Sequence, residues 1–274
     1  MRPLTAAVVV LSVVALSLFA TFALRSYNFH GIYGRSASGE RVISPSGINV
    51  IDVDDPAGVV YVDTWNGSQV LVSYVSTSNF LGPAVPYINA SGGAIDVDVT
   101  PIYPSFGYSV SLNITIPSWM APQIYATMGA GDITVRIPSS GGVHLTTATG
   151  DVEVNVSYLP QATLGTTVGN IDLWTVRADD VQAHATTGDI YADLNGPLSG
   201  SYVFQTTTGN INIMIPVNSS VSFSLSSSAG SVTVSGIPYN MISNQYQAIS
   251  GVAGNGAATL IASTTTGNVF LRAN

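Results

Sequence analysis

From Ile48 to the C-terminus the chain alternates apolar and polar residues in short runs. INVIDVDD, GVVYVDTWNGSQVLVSY, AIDVDVT and YSVSLNITIP put an apolar residue at nearly every second position, as strands with one buried face require. LGPAVPYINASGG and PIYPSFG between them read as loops from their Pro and Gly content. Asn66-Gly67, set between two alternating runs, predicts a hairpin turn. Nowhere after Ile48 does a helical period persist over about 11 residues. The expectation is an all-β protein.

Beyond Ile124 the alternation repeats. MGAGDITV, TTATGDVEV, TTVGNIDL, AHATTGDIYADL, TTTGNINI, SSAGSVTV and TTTGNVFL are copies of one unit, with their glycines at Gly131, Gly150, Gly169, Gly188, Gly209, Gly230 and Gly267. The spacings are 19, 19, 19, 21, 21 and 37, the last read as two coils with one corner lost. Two residues after each glycine stand Ile133, Val152, Ile171, Ile190, Ile211, Val232 and Val269; seven before it stand Ile124, Val143, Ala162, Val181, Tyr202, Phe223 and Leu260. A period of two puts these columns on one face of each strand. One copy has too few apolar side chains to stand alone, so the copies must stack, and the predicted fold is a β-solenoid of two-strand coils of about 19 to 21 residues. Each glycine supplies the positive φ of a tight corner. The residue after it, Asp132, Asp151, Asn170, Asp189, Asn210, Ser231 or Asn268, predicts a polar ladder up one edge.

The N-terminus adds a membrane question. Leu4 to Leu24 is 21 residues without a charge, bracketed by Arg2 and Arg25. As a helix it is long enough to cross a bilayer, so a retained transmembrane anchor is expected, with a cleaved signal segment the alternative. The resulting division is an anchor or signal over 1–25, a linker over 26–45, an N-terminal β region over 46–123 that caps the solenoid, and the repeats over 124–274. In either case the β part lies outside the membrane or is secreted. The sequons at Asn66, Asn89, Asn113, Asn155 and Asn218 are then glycosylation candidates.

Charged residues are only 8% of the chain, lysine is absent and the formal net charge is -8. Without basic clusters there is nothing to displace phosphate counterions, which excludes nucleic acid as a partner. The absence of cysteine excludes disulfides, thiol catalysis and Cys-ligated zinc. The low charge also fits an acidic habitat in which carboxylates are protonated.

Taken together, the early hairpin with Trp65-Asn66-Gly67, the LNITIP strand and the successive TTxG[DN]I corners resemble the extracytoplasmic "putative adhesin" family of unknown function, over roughly Ile48 to Asn274. That resemblance implies a β-solenoid in a cell-envelope setting and supplies no catalytic residues. The insert IPYNMISNQYQAISGVAGNGA and the long anchor depart from it.

Chemistry is sparse. His144 and His184 precede two corners, with Asp151, Asp189 and Glu153 nearby in sequence, but the two histidines fall in different outward columns two coils apart, too far for one metal. Surface polarity is the expected role for all of them. For the ladder, turn capping is expected, and calcium is the alternative that its oxygens allow. Outward Tyr125, Tyr191 and Trp174 are the residues to stack on surface glycans. The reading is a non-catalytic cell-surface module, structural or adhesive, that contacts glycans or other envelope proteins. Its alternatives are a filament subunit that self-associates by strand addition and a carbohydrate-active enzyme.

Overall fold

The computed structural model describes residues 35–78, 82–100 and 107–274. Leu4 to Leu24 and the first part of the spacer lie outside these. Among the described residues no helix is long and apolar enough to cross a membrane.

Strands account for nearly every alternating run. β1 (Arg35–Ile43), β2 (Val50–Trp65), β3 (Val70–Ser78), β4 (Tyr87–Ser91), β5 (Ala94–Asp98) and β6 (Tyr108–Pro117) come first. The repeated corners then lie between or beside β7 (Gln123–Ala130), β8 (Ile133–Ser139), β9 (Gly142–Thr149), β10 (Val152–Val168), β11 (Ile171–Thr175), β12 (Arg177–Thr187), β13 (Ile190–Leu194), β14 (Gly200–Thr208), β15 (Ile211–Ile215), β16 (Val221–Ala229) and β17 (Val232–Ser235). β18 (Asn240–Gln245) and β19 (Ala248–Ala253) form an antiparallel pair, and β20 (Ala258–Thr266) and β21 (Val269–Ala273) flank the last glycine.

Successive coils pair in parallel, in register. Val152 stands on Ile133, Ile171 on Val152, Ile190 on Ile171 and Ile211 on Ile190. All five are fully buried, so the columns read from the sequence form a continuous apolar core. Burial of this kind, worth about 25 cal/mol per Å² of apolar surface, is what a single coil lacks.

The stacking order departs from the sequence at both ends. The 37-residue spacing is not two coils with a lost corner. β20 and β21 sit between the coil of β14 and β15 on one side and that of β16 and β17 on the other. The chain lays down the outermost coil first, turns back through the β18–β19 hairpin, whose β19 runs antiparallel on β16, and fills the level beneath. The other end shows the same exchange: β2 lies between β5 and β6 on its outer side and β7 and β8 on its inner side. The sequence cannot report this, because every copy presents the same columns at the same register.

Three further expectations are corrected. The hairpin at Asn66-Gly67 does not form, because β6 separates β2 from β3, pairing parallel with the first and antiparallel with the second. The LNITIP inner column, Leu112, Ile114 and Ile116, fits a coil level and is fully buried there. Residues 46–123 are therefore not merely a cap: they contribute two coils, and the capping is done by β1, β3 and β4, antiparallel strands that close the end. The expected linker over 26–45 contains strand β1, which pairs with β3 from Arg35↔Ser78 to Ile43↔Val70. As an edge strand exposed on both faces over most of its length, it carries no alternation to betray it.

The corners explain the glycines. Gly188 has φ +147°, and a Cβ placed on it would lie 1.7 Å from the carbonyl oxygen of Gly169 in the neighbouring coil. Gly58 makes the equivalent approach under Gly131, whose Cβ would lie 1.6 Å from Gly58 O, so the first coil has a corner within DDPAG that the TTxG pattern misses. Gly165 is different: it lies mid-strand without a positive φ, and a Cβ there meets only Thr146 Cγ2 at 3.4 Å. Gly188→Val is therefore expected to destabilise the fold by more than about 1 kcal/mol, whereas Gly165→Ala is expected to be neutral or to stabilise by about 0.4 to 1 kcal/mol. Urea denaturation of both variants checks the contrast, and equal effects would refute the corner assignment.

Candidate functional site

Two ladders of side chains run up the corner edge. In the first, the Oδ1 of each Asp or Asn accepts the backbone N–H of the corner residue one coil on: Asp151 N–H to Asp132 at 2.8 Å, Asn170 to Asp151 at 2.6 Å, Asp189 to Asn170 at 2.9 Å and Asn210 to Asp189 at 2.7 Å. Asn268 bonds to Asn210 at 3.0 Å and Ser231 to Asn268 at 2.9 Å, which again places the Gly267 coil beneath the Gly230 coil. The bonds join coils; they do not cap the local turn. The Oδ1 of each ladder Asp or Asn accepts an N–H donor, and among the described residues no three His, Asp or Glu side chains gather closely enough to hold a metal ion.

The second ladder was not legible as chemistry. Three residues before the glycine a buried hydroxyl donates to the glycine carbonyl of the coil below: Thr147 to Gly131 at 3.0 Å, Thr166 to Gly150 at 2.9 Å, Thr206 to Gly188 at 3.0 Å, Thr264 to Gly209 at 3.0 Å and Ser227 to Gly267 at 2.7 Å. The recurrent Thr before each corner is thus more than a strand-forming residue.

The outward residues divide between the sheet entering the corner and the sheet leaving it. On the entering sheet His144 stands beside Tyr125, ring centroids 6.2 Å apart. His184 lies in another column, between Gly165 and Gln205. Glu153 is on the leaving sheet, held by Arg136 at 2.8 Å, and Asp151 and Asp189 belong to the first ladder. The five polar candidates are not brought together.

The leaving sheet is richer. Trp174 and Tyr191 sit diagonally on adjacent strands with ring centroids 5.9 Å apart. The Tyr191 hydroxyl donates to Met214 Sδ at 3.1 Å, and one coil further the Arg272 guanidinium covers Phe270 at 4.7 Å. Carboxylates fill the other diagonal, because Asp172 is level with Tyr191 and Asp193 with Trp174. Burial holds the Asp172 carboxyl above its usual range, and Glu153, Asp151 and Asp189 push it further up. Tyr125, on the other sheet, is not part of this group. Of the sequons, Asn66 and Asn218 are exposed in a bend and a turn, Asn113 and Asn155 are exposed outward strand positions, and Asn89 is half-buried, its Nδ2 donating to Ser91 Oγ.

The family model described as Toastrack DUF4097 matches residues 87–272, two thirds of the chain. The chain belongs to the Toastrack DUF4097 family. Its fold is similar to solved structures described as a "putative cell adhesion protein" from Clostridium sporogenes (6% identity, TM-score 0.39, covering 88% of this chain and 100% of that one) and a "putative adhesin" from Bacteroides fragilis (12%, 0.40, 86% and 97%). A "putative lipid binding protein" from Parabacteroides distasonis is similar at 12% identity and a TM-score of 0.35, over 88% and 97% of the two chains. No curated protein matches the sequence.

The Toastrack match begins after β2, yet β2 is a full member of the stack, and its corner places a carboxylate on the inner side. Three residues before glycine, where five of the repeated coils carry a buried Thr or Ser, the Gly58 coil carries Asp55. Its side chain is fully buried; Oδ1 accepts the Ala57 N–H at 3.1 Å, and Oδ2 has no partner. The buried hydroxyl of Tyr108, on the adjoining coil, also lacks a partner. Desolvation raises the Asp55 pKa from 3.8 to about 7, and burial followed by the charges of Asp55 and Asp54 raises that of Tyr108. Between these two Asp55 values the folded chain keeps a proton that the unfolded chain releases. Stability therefore falls as pH rises from about 4 to about 7 and is level above, by up to about 4 kcal/mol at about 1.36 kcal/mol per pKa unit. Asp52 and Asp172 are raised as well and act in the same direction. Asp55→Asn is expected to flatten most of this slope and to be more stable than the parent at pH 8. Urea midpoints measured across the pH range check it; an unchanged slope would show that Asp55 does not titrate in the folded protein.

Proposed function

We propose that this Toastrack protein is a non-catalytic cell-surface module, its solenoid a stiff support for an adhesive outward sheet. The observation that carries the reading is the placement of Trp174, Tyr191, Met214 and Phe270 on four successive coils of one sheet, half-buried among polar neighbours. The parallel ladder fixes their spacing, so weak contacts made by several coils act together. The distribution of polar groups supports the same view. The histidines and carboxylates that would perform acid–base chemistry are dispersed over two sheets and one corner ladder, and the recurring Thr, Asp and Asn are engaged in joining coils. Membrane attachment through Leu4 to Leu24, with the β part outside, is consistent with this role.

A structural reading within the same class draws on one observation. At the end of the stack β17 pairs, among the described residues, on one edge only, with β21, and its inward Val232 and Val234 are partly buried, whereas the same columns in interior coils are fully buried. That edge accepts a strand from a second copy, as filament growth by strand addition requires.

The adhesive reading predicts that replacing both Trp174 and Tyr191 by Ala lowers retention of the protein on isolated cell envelopes by at least about ten-fold, or ~1.4 kcal/mol. The side chains project outward, so the melting temperature is expected to stay within a few degrees. Co-sedimentation with envelopes alongside thermal unfolding measures both. Undiminished retention would remove this sheet from the contact surface.

A further inference from the structure

We propose that Trp174, Tyr191, Asp172 and Asp193 form a binding site for the arginine side chain of a partner polypeptide. The inference rests on the adhesive reading of this sheet and names the chemistry the sheet selects.

The register makes the four a checkerboard. On β11 Asp172 and Trp174 are two residues apart and point outward together; on β13 Tyr191 and Asp193 do the same; Asp172 is paired with Tyr191 and Trp174 with Asp193. Each ring therefore has a carboxylate beside it along its own strand and another across to the neighbouring strand. At a strand spacing of about 4.8 Å and about 6.6 Å between alternate residues, a group lying on either ring is within reach of both acids.

Among the described residues no arginine pairs with Asp172 or Asp193. Arg136 is tied to Glu153, Arg177 lies beside Asp179 and over Tyr158, and Arg272 lies over Phe270. Among the described residues Asp193 receives the Asn274 side-chain amide at 3.1 Å and no cation. The charges acting on Asp172 are all carboxylates, and those acting on Tyr191 are Asp193 and Asp172. Two rings with electron-rich faces among unpaired negative charges make a site for an organic cation.

Arginine fits better than a compact ammonium. Its planar guanidinium stacks on a ring while its N–H groups reach carboxylates at the rim, using both halves of the checkerboard at once. The same molecule shows the stacking geometry twice, with a guanidinium 5.6 Å from the Tyr158 ring centre and another 4.7 Å from that of Phe270.

The test is calorimetric titration of the full chain with a short oligoarginine peptide, beside an oligocitrulline peptide of the same length and a chitosan oligomer as the amino-sugar source. The expected result is binding of oligoarginine only, weakened at least ten-fold by Trp174→Ala and by the isosteric pair Asp172→Asn with Asp193→Asn. Asp63→Asn, which removes an exposed carboxylate from β2, is expected to leave it unchanged. The conservative Asn pair keeps the test valid if the Trp variant folds poorly. Equal binding of citrulline, binding of chitosan in place of the peptide, or equal weakening by Asp63→Asn overturns the proposal, as does no binding at all. Envelope retention that still depends on Trp174 in the face of such a result overturns the arginine assignment alone; loss of both removes the adhesive reading with it.

Discussion

The constraint on which the structure depends is the close approach of backbones at the corner. From Gly58 through Gly131 to Gly230, each coil turns with its glycine packed against the carbonyl of the one below, leaving no room for a Cβ. That contact fixes the vertical spacing and the register of every coil. Once register is fixed, apolar residues two beyond and seven before the glycine must superpose, and the core follows. The Asp/Asn and Thr ladders then satisfy the N–H and C=O groups the turn would leave unpaired in the interior, where an unmade hydrogen bond costs about 1 to 3 kcal/mol.

Much of this was legible in the sequence because it is local and repeated. The period, the inward columns and the corner residues each recur often enough to outweigh chance. What escaped notice was either unrepeated or non-local. Gly58 sits in DDPAG, with Asp in place of Thr and Val in place of Asp or Asn, so it matches no other copy. The apparent hairpin at Asn66-Gly67 had the right turn residues, yet β6 buries Leu112, Ile114 and Ile116 by entering between its arms. β1 has too little burial to create an alternating pattern. The partner of each ladder oxygen lies one coil away, 16 to 58 residues distant in the chain, and composition carries no sign of it.

The surface follows from the same geometry. Because the interior positions are spoken for, variation is free only at outward positions, and there the copies differ: Asn113, Tyr61, Thr134, Glu153, Asp172, Tyr191, Asn212 and Phe270 occupy a single column. Trp174 and Tyr191 were recognisable as outward aromatics from parity alone. Their diagonal relation, and the alternation with Asp172 and Asp193, depend on the in-register pairing of β11 with β13. The split from Tyr125 depends on which side of the corner each lies.

The exchanged order of the last two coils bears on how the molecule is made. A solenoid whose levels follow the sequence can add each coil as the chain emerges, from one end to the other. Here that progress halts after β15: residues 221–235 emerge next but rest on a level that only residues 258–273 can supply. During synthesis the outermost coil, though made first, therefore cannot dock until β20 and β21 have followed it. A closed end of the stack thus reports that both coils have been made, because neither order of arrival lets β16 and β17 settle without β20 and β21.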